Sequence, residues 1–106
     1  MVVGAADYKL AATRVPEQLN QMRAHYGNMV LITFTGPGPS YLAGGWAVSN
    51  GVYGAEIPNL RLTHGRKHPT LAVEAALSLR PHLCLAFGEC PAAEQARQAG
   101  VTTYVV

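Results

Sequence analysis

The sequence predicts an α/β protein, and three observations carry that prediction. Short apolar runs of about five residues recur along the chain, at Met29–Phe34 and Leu83–Phe87 most clearly. Segments with helical periodicity separate them. Proline and glycine punctuate the boundaries, with proline at helix starts and glycine after helix ends. Continuous apolar runs mark strands buried on both faces, the habit of parallel sheets. Strands alternating with helices then give a Rossmann-like three-layer sandwich, a mainly parallel sheet of about five strands with helices on both faces.

The elements follow in order. Met1–Val3 is a very short apolar start, ended by Gly4. Pro16–Tyr26 carries Leu19, Met22 and Tyr26 at i, i+3 and i+7, so a helix is expected there. Pro16 suits its first position and Gly27 its C-terminal cap. Met29–Phe34, with β-branched members, is a buried strand. A helix opens at Pro39 or Ser40 and runs to about Asn50, where Asn50-Gly51 ends it. Val52–Leu60 is a short strand or an extended loop. His64–His68 is a loop. Pro69–Arg80 is a helix with Leu71, Ala75, Ala76 and Leu79 toward one side. Leu83–Phe87 is a strand, Pro91–Ala99 a helix capped by Gly100, and Thr102–Val106 a final strand of β-branched and aromatic residues.

The 106 residues set one domain over the whole chain. About half are hydrophobic and 13% are charged, which excludes a disordered chain. No apolar run reaches the roughly 18–20 residues of a membrane span. No secretory signal is visible at the N-terminus, so the cytoplasm is the expected compartment. The net charge of +2 gives no case for a nucleic-acid partner. Cys84 lies in an apolar run and Cys90 in the loop after it, at a spacing that matches no known metal or disulfide pattern. No cofactor and no metal is expected.

In parallel sheets of this kind ligands bind beyond the carboxyl ends of the strands. The loops expected there are Gly4–Lys9, Thr35–Ser40 and Gly88–Pro91, joined by His64–His68. In "FTGPGPS", Gly36 and Gly38 let backbone N–H groups approach an anion, and the helix start adds partial positive charge. Ser40 either caps the helix or touches a phosphate. The segment is neither a Walker A loop nor a Gly-x-Gly-x-x-Gly fingerprint. Arg66 can grip a phosphate bidentately and Lys67 adds a point charge. His64 and His68 lack the companions of a metal site. Asp7 can meet a ribose hydroxyl and Tyr8 can stack on a base. Glu89 and Glu94 flank the last helix start; either would be the acid or base of a hydrolytic reaction, or simply a capping group paired with Arg97. Gly44 and Gly45, costly inside a helix, suggest close packing of that helix, and Trp46 suggests a sheet edge or a subunit interface.

These loops together resemble the SLOG superfamily, the Rossmann-like domains related to cytokinin-activating LOG proteins and to DprA, and within it a small standalone bacterial or phage group. Gly4-Ala5-Ala6-Asp7-Tyr8 stands where that group has a G-S-R-D-Y-like loop. Thr35-Gly36 through Tyr41-Leu42-Ala43 and Trp46-Ala47 resembles its H-G-x-x-x-G-A-D-x-x-A-x-x-W-A segment. His64-Gly65-Arg66-Lys67-His68 is similar to G-P-x-R-N, and Phe87-Gly88-Glu89-Cys90-Pro91 to F-x-G-G-x-G-T. The likeness runs in order through nearly the whole chain. It implies a nucleotide or nucleotide-derived signal as partner, of ADP-ribose or cyclic type, bound by Gly4, Asp7, Tyr8, Gly36, Gly38, Ser40, Arg66, Lys67 and Gly88. It also implies a sensor or sequestering role in phage–host defence. Ala6 replaces the loop arginine, the carboxylate of the second motif is missing, and one glycine remains of the phosphate loop. Binding is therefore expected over catalysis, with a weak phosphoribohydrolase using Glu94 or Glu89, or an interaction module with a degenerate pocket, as alternatives. A homodimer or higher oligomer is expected from the exposed fraction of so small a domain, through the helix faces near Gly44–Trp46 or Leu71–Leu79.

Overall fold

The computed structural model describes residues 1–5, 7–35, 38–58 and 69–106. Among the described residues nine elements follow the expected alternation: β1 (Val2–Gly4), α1 (Ala11–Tyr26), β2 (Val30–Phe34), α2 (Pro39–Ser49), β3 (Tyr53–Ile57), α3 (Pro69–Ser78), β4 (Leu83–Phe87), α4 (Pro91–Gln98) and β5 (Thr102–Val105). Every strand pairing is parallel. Val52–Leu60, left open between strand and loop by its composition, contributes a strand, because Val30–Phe34 pairs along its whole length with Tyr53–Ile57.

The strands form two ladders, β1-β4-β5 and β2-β3. β1 also borders β2, but among the described residues no ladder joins them. One reason lies at the end of β2. Thr35 N–H donates to Ile57 O on the β3 side at 3.0 Å. Successive N–H groups in a strand point to opposite edges, so Phe34 N–H faces β1. It donates instead to the Ser40 hydroxyl, at 2.7 Å. The first turn of α2 thus supplies the acceptor that a neighbouring strand would have given.

The strands bury both faces, and alternate residues divide the core in two. Val2, Leu31, Leu85 and Phe87 pack with Val15 and Leu19 of α1 and with Ala43, Trp46 and Ala47 of α2. Met1, Val3, Ile32, Cys84 and Ala86 pack with Val73 and Ala76 of α3 and with Ala93 and Ala96 of α4. This is the three-layer arrangement, with two helices on each side. The second layer leans on alanine, and small side chains let α3 and α4 approach the sheet closely. Cys84 is fully buried there, which pushes its thiol pKa up by desolvation.

Four local expectations are corrected. α1 begins at Ala11, five residues before Pro16, which lies inside the helix. The apolar stripe starts earlier than the proline signal implies: Ala11, Val15, Leu19 and Met22 share one face, and the first three are buried. In α3 the core-facing residues are Ala72, Val73 and Ala76, while Leu71 and Leu79 are exposed. Trp46 lies at neither a sheet edge nor a free surface. It is buried between α1 and α2 and donates its indole N–H to Asn20 Oδ1 at 3.1 Å. Gly45 packs against no other element among the described residues: a side-chain carbon there would meet no atom outside its own helix within 4 Å. Gly44 sits nearer the sheet, where such a carbon would lie 3.5 Å from Thr33 Oγ1.

Among the described residues no helix is long and apolar enough to cross a membrane.

Candidate functional site

Three of the predicted loops meet at the carboxyl ends of β1 and β4. Gly4 closes β1 in a space that admits no side chain. A carbon added there would lie 2.8 Å from Pro39 Cγ and 2.9 Å from the Phe87 carbonyl oxygen. Pro39, the first residue of α2, is fully buried against this point. The glycine therefore lets α2 dock its N-terminus onto the junction of β1 and β4.

The loop after β1 turns back over β4. Tyr8 N–H donates to Ala5 O at 3.1 Å, forming a tight turn. The Tyr8 ring then stands edge-on to Phe87, with centroids 5.8 Å apart. Its hydroxyl donates to Val106 O at 3.3 Å. Gly88, at φ +84°, passes beneath the ring, and a carbon added to it would meet Tyr8 Cδ2 at 3.3 Å. Gly88 N–H continues the ladder to Val106 O. Tyr8 thus covers the ends of β4 and β5.

The remaining predicted residues divide as follows. Gly38 is the N-cap of α2, at φ +122°, a conformation that side chains rarely adopt. Ser40 caps nothing and accepts from Phe34 N–H as described, so its hydroxyl serves the sheet. Asp7 is exposed in the turn beside Tyr8. Gly36, Arg66 and Lys67, with the whole His64–His68 loop, lie outside the described residues.

Glu89 and Glu94 are exposed and share one cation. Arg97 donates to Glu89 Oε1 at 2.8 Å and Oε2 at 3.2 Å, and to Glu94 Oε2 at 3.2 Å. The paired hydrogen bonds hold the Glu89 carboxyl below its ordinary value and raise the guanidinium above its own. A general acid or base is tuned toward neutrality; Glu89 is moved the other way. Glu94 is a first-turn charge of α4 and Glu89 precedes its N-cap, and both are tied to Arg97 in its last turn.

Both cysteines are free, and among the described residues no group of three or more His, Cys, Asp or Glu side chains is placed to hold a metal ion.

Sequence reasoning missed two features. Pro39 starts a helix by its place in the sequence, yet it is also the group against which Gly4 is fitted. The second is a groove of about 500 Å³ between α1 and the β4–β5 surface, lined by Gln18, Met22, His25 and Tyr26 on one wall and by Leu85 and Tyr104 on its floor. Its signal was present: Tyr104 alternates with Val106 on the side of the sheet that α1 only partly covers.

No family model, curated protein or solved structure matches this chain.

Proposed function

We propose that the protein binds a nucleotide or nucleotide-derived signal at the carboxyl ends of its strands, as a sensor or sequestering protein in the cytoplasm. The supporting observation is the convergence of loops there: Gly4 against Pro39 and Phe87, and Tyr8 over Gly88. Helix α2 starts at this junction behind a glycine cap, and a helix start offers N–H groups and partial positive charge to a phosphate. Tyr8 is half-buried, and its ring is the aromatic group there against which a base or ribose would pack. Arg66 and Lys67, on sequence grounds, supply the counter-charge. The engagement of Glu89 and Glu94 by Arg97 favours binding over hydrolysis.

The test is thermal shift and calorimetry against ADP-ribose, cyclic ADP-ribose isomers, NAD, AMP and cyclic dinucleotides. A ligand at 100 times its Kd adds about 2.7 kcal/mol to stability, a shift of roughly ten degrees in a domain of this size. The expected result is stabilisation by at least one class, reduced in the Arg66→Ala, Lys67→Ala double variant. A folded sample that none of them stabilises overturns the proposal.

A second reading, an interaction module with a closed pocket, is favoured by one observation. Tyr8 and Pro39 occupy much of the space beyond β1 and β4. It predicts a partner protein retained by the Arg66→Ala, Lys67→Ala variant as well as by the parent chain.

A further inference from the structure

We infer that β5 is a dimerisation edge: a second copy of this chain pairs its own β5 antiparallel to it across a two-fold axis at Tyr104. The inference rests on the strand's hydrogen-bond pattern and is independent of the ligand proposed above.

Among the described residues β5 is paired on one side only, with β4. Val106 N–H donates to Ala86 O at 2.8 Å, and Val106 O accepts from Gly88 N–H. Val106 therefore directs both backbone groups at β4, and by the alternation of a strand so do Tyr104 and Thr102. Thr103 and Val105 direct theirs outward. An antiparallel copy centred on Tyr104 sets Thr103 opposite Val105 of the other chain, and Val105 opposite Thr103. Each such pair exchanges two N–H···O bonds, so the symmetric ladder closes four. A rotation about an axis normal to the sheet leaves each face on its own side. The two Tyr104 side chains then meet as the close, non-hydrogen-bonded pair, on the groove side.

Charge selects a second copy as the occupant. A two-fold axis brings each group near its own twin, so the surface must be free of net charge. β5 carries no charged residue, and neither does the groove beside it, whose walls and floor hold no Asp, Glu, Lys or Arg. The opposite edge differs: β3 carries Glu56 and is followed by Pro58, both devices that discourage edge pairing. On β5, Tyr104 is 55% exposed and Val105 41% exposed, large apolar areas for an edge without such devices.

The experiment is light scattering coupled to size exclusion on the whole chain and three variants. Val105→Pro removes one outward N–H per chain without touching the β4 ladder, and proline is tolerated at an open edge. Two symmetric bonds go at once, so the dimer weakens at least about 30-fold, with an unchanged circular dichroism spectrum. In a Cys90→Ala background, Tyr104→Cys forms a disulfide between the two chains on mild oxidation, because the pair on the axis has the short Cα separation a disulfide needs. A monomeric parent chain overturns the inference. So does a dimer that survives Val105→Pro and is lost in Val48→Lys, on the exposed side of α2.

Discussion

The carboxyl end of β1 and the middle of α2 both use glycine, in opposite surroundings. At Gly4 the backbone is walled in by Pro39 and by the Phe87 carbonyl, and an added carbon would collide with both. At Gly45 the same carbon would meet nothing. The first glycine is required because two strands and a helix start occupy one point. The second only lowers helix stability, and its neighbour Gly44 is intermediate, with room for a methyl at ordinary contact distance from Thr33. Glycine content by itself therefore marks neither close packing nor a ligand loop; the atoms facing the missing side chain decide.

Substitutions turn that contrast into measurements. Gly4→Ala is expected to do the most damage, roughly 1–3 kcal/mol by denaturant unfolding, since the Phe87 carbonyl is backbone and cannot swing away. A neutral result would mean that α2 docks more loosely than Pro39 implies. Gly88→Ala comes next, at about 1–2 kcal/mol, because its φ of +84° is strained for any side chain and the Tyr8 ring lies above it. Ser40→Ala should cost about 1 kcal/mol by leaving Phe34 N–H without its acceptor. Gly45→Ala has the opposite sign, a gain of about 0.5–1 kcal/mol from helix propensity alone. A loss there would show that α2 is covered by something in solution.

The smallest effect concerns the surface at α4. Glu89 has a depressed folded-state pKa, so its pairing with Arg97 contributes above the ordinary carboxyl value of 4.5 and fades as pH falls through the lower folded one. Both groups are exposed, and the contribution to stability is slight. NMR titration of the Glu89 carboxyl should give a midpoint below that of a free glutamate, restored toward it in Arg97→Ala.

The legibility of the fold varied with the kind of signal. Buried strands were plain, since Leu83–Phe87 is apolar at every position and emerges with the same bounds. Helix ends marked by glycine were also plain: Gly27 and Gly100 take positive φ just beyond α1 and α4. The start of α1 was hidden, because Pro16 imitates a first-turn residue and the stripe through Ala11 and Val15 is weak by hydrophobicity. Residue type suggests a sheet edge or a subunit interface for Trp46, yet Asn20 on another helix satisfies its indole N–H. The site was legible as a set of loops and not as contacts. That Gly4 and Gly88 lie near Tyr8 and Pro39 depends on the parallel pairing of β1 with β4, across more than eighty residues of sequence.

What the sequence determined alone was the alternation of strand and helix, hence the class of sheet and the end at which its loops gather. These follow from local periodicity and from the backbone limits of proline and glycine. Tertiary structure decided which neighbours meet. It made the Ser40 hydroxyl the acceptor for Phe34 N–H instead of a helix cap, and it separated the two strand ladders. Among the described residues it left the outward groups of β5 unpaired beside a neutral groove. Such outcomes rest on distances between residues far apart in the chain, and no local pattern encodes them.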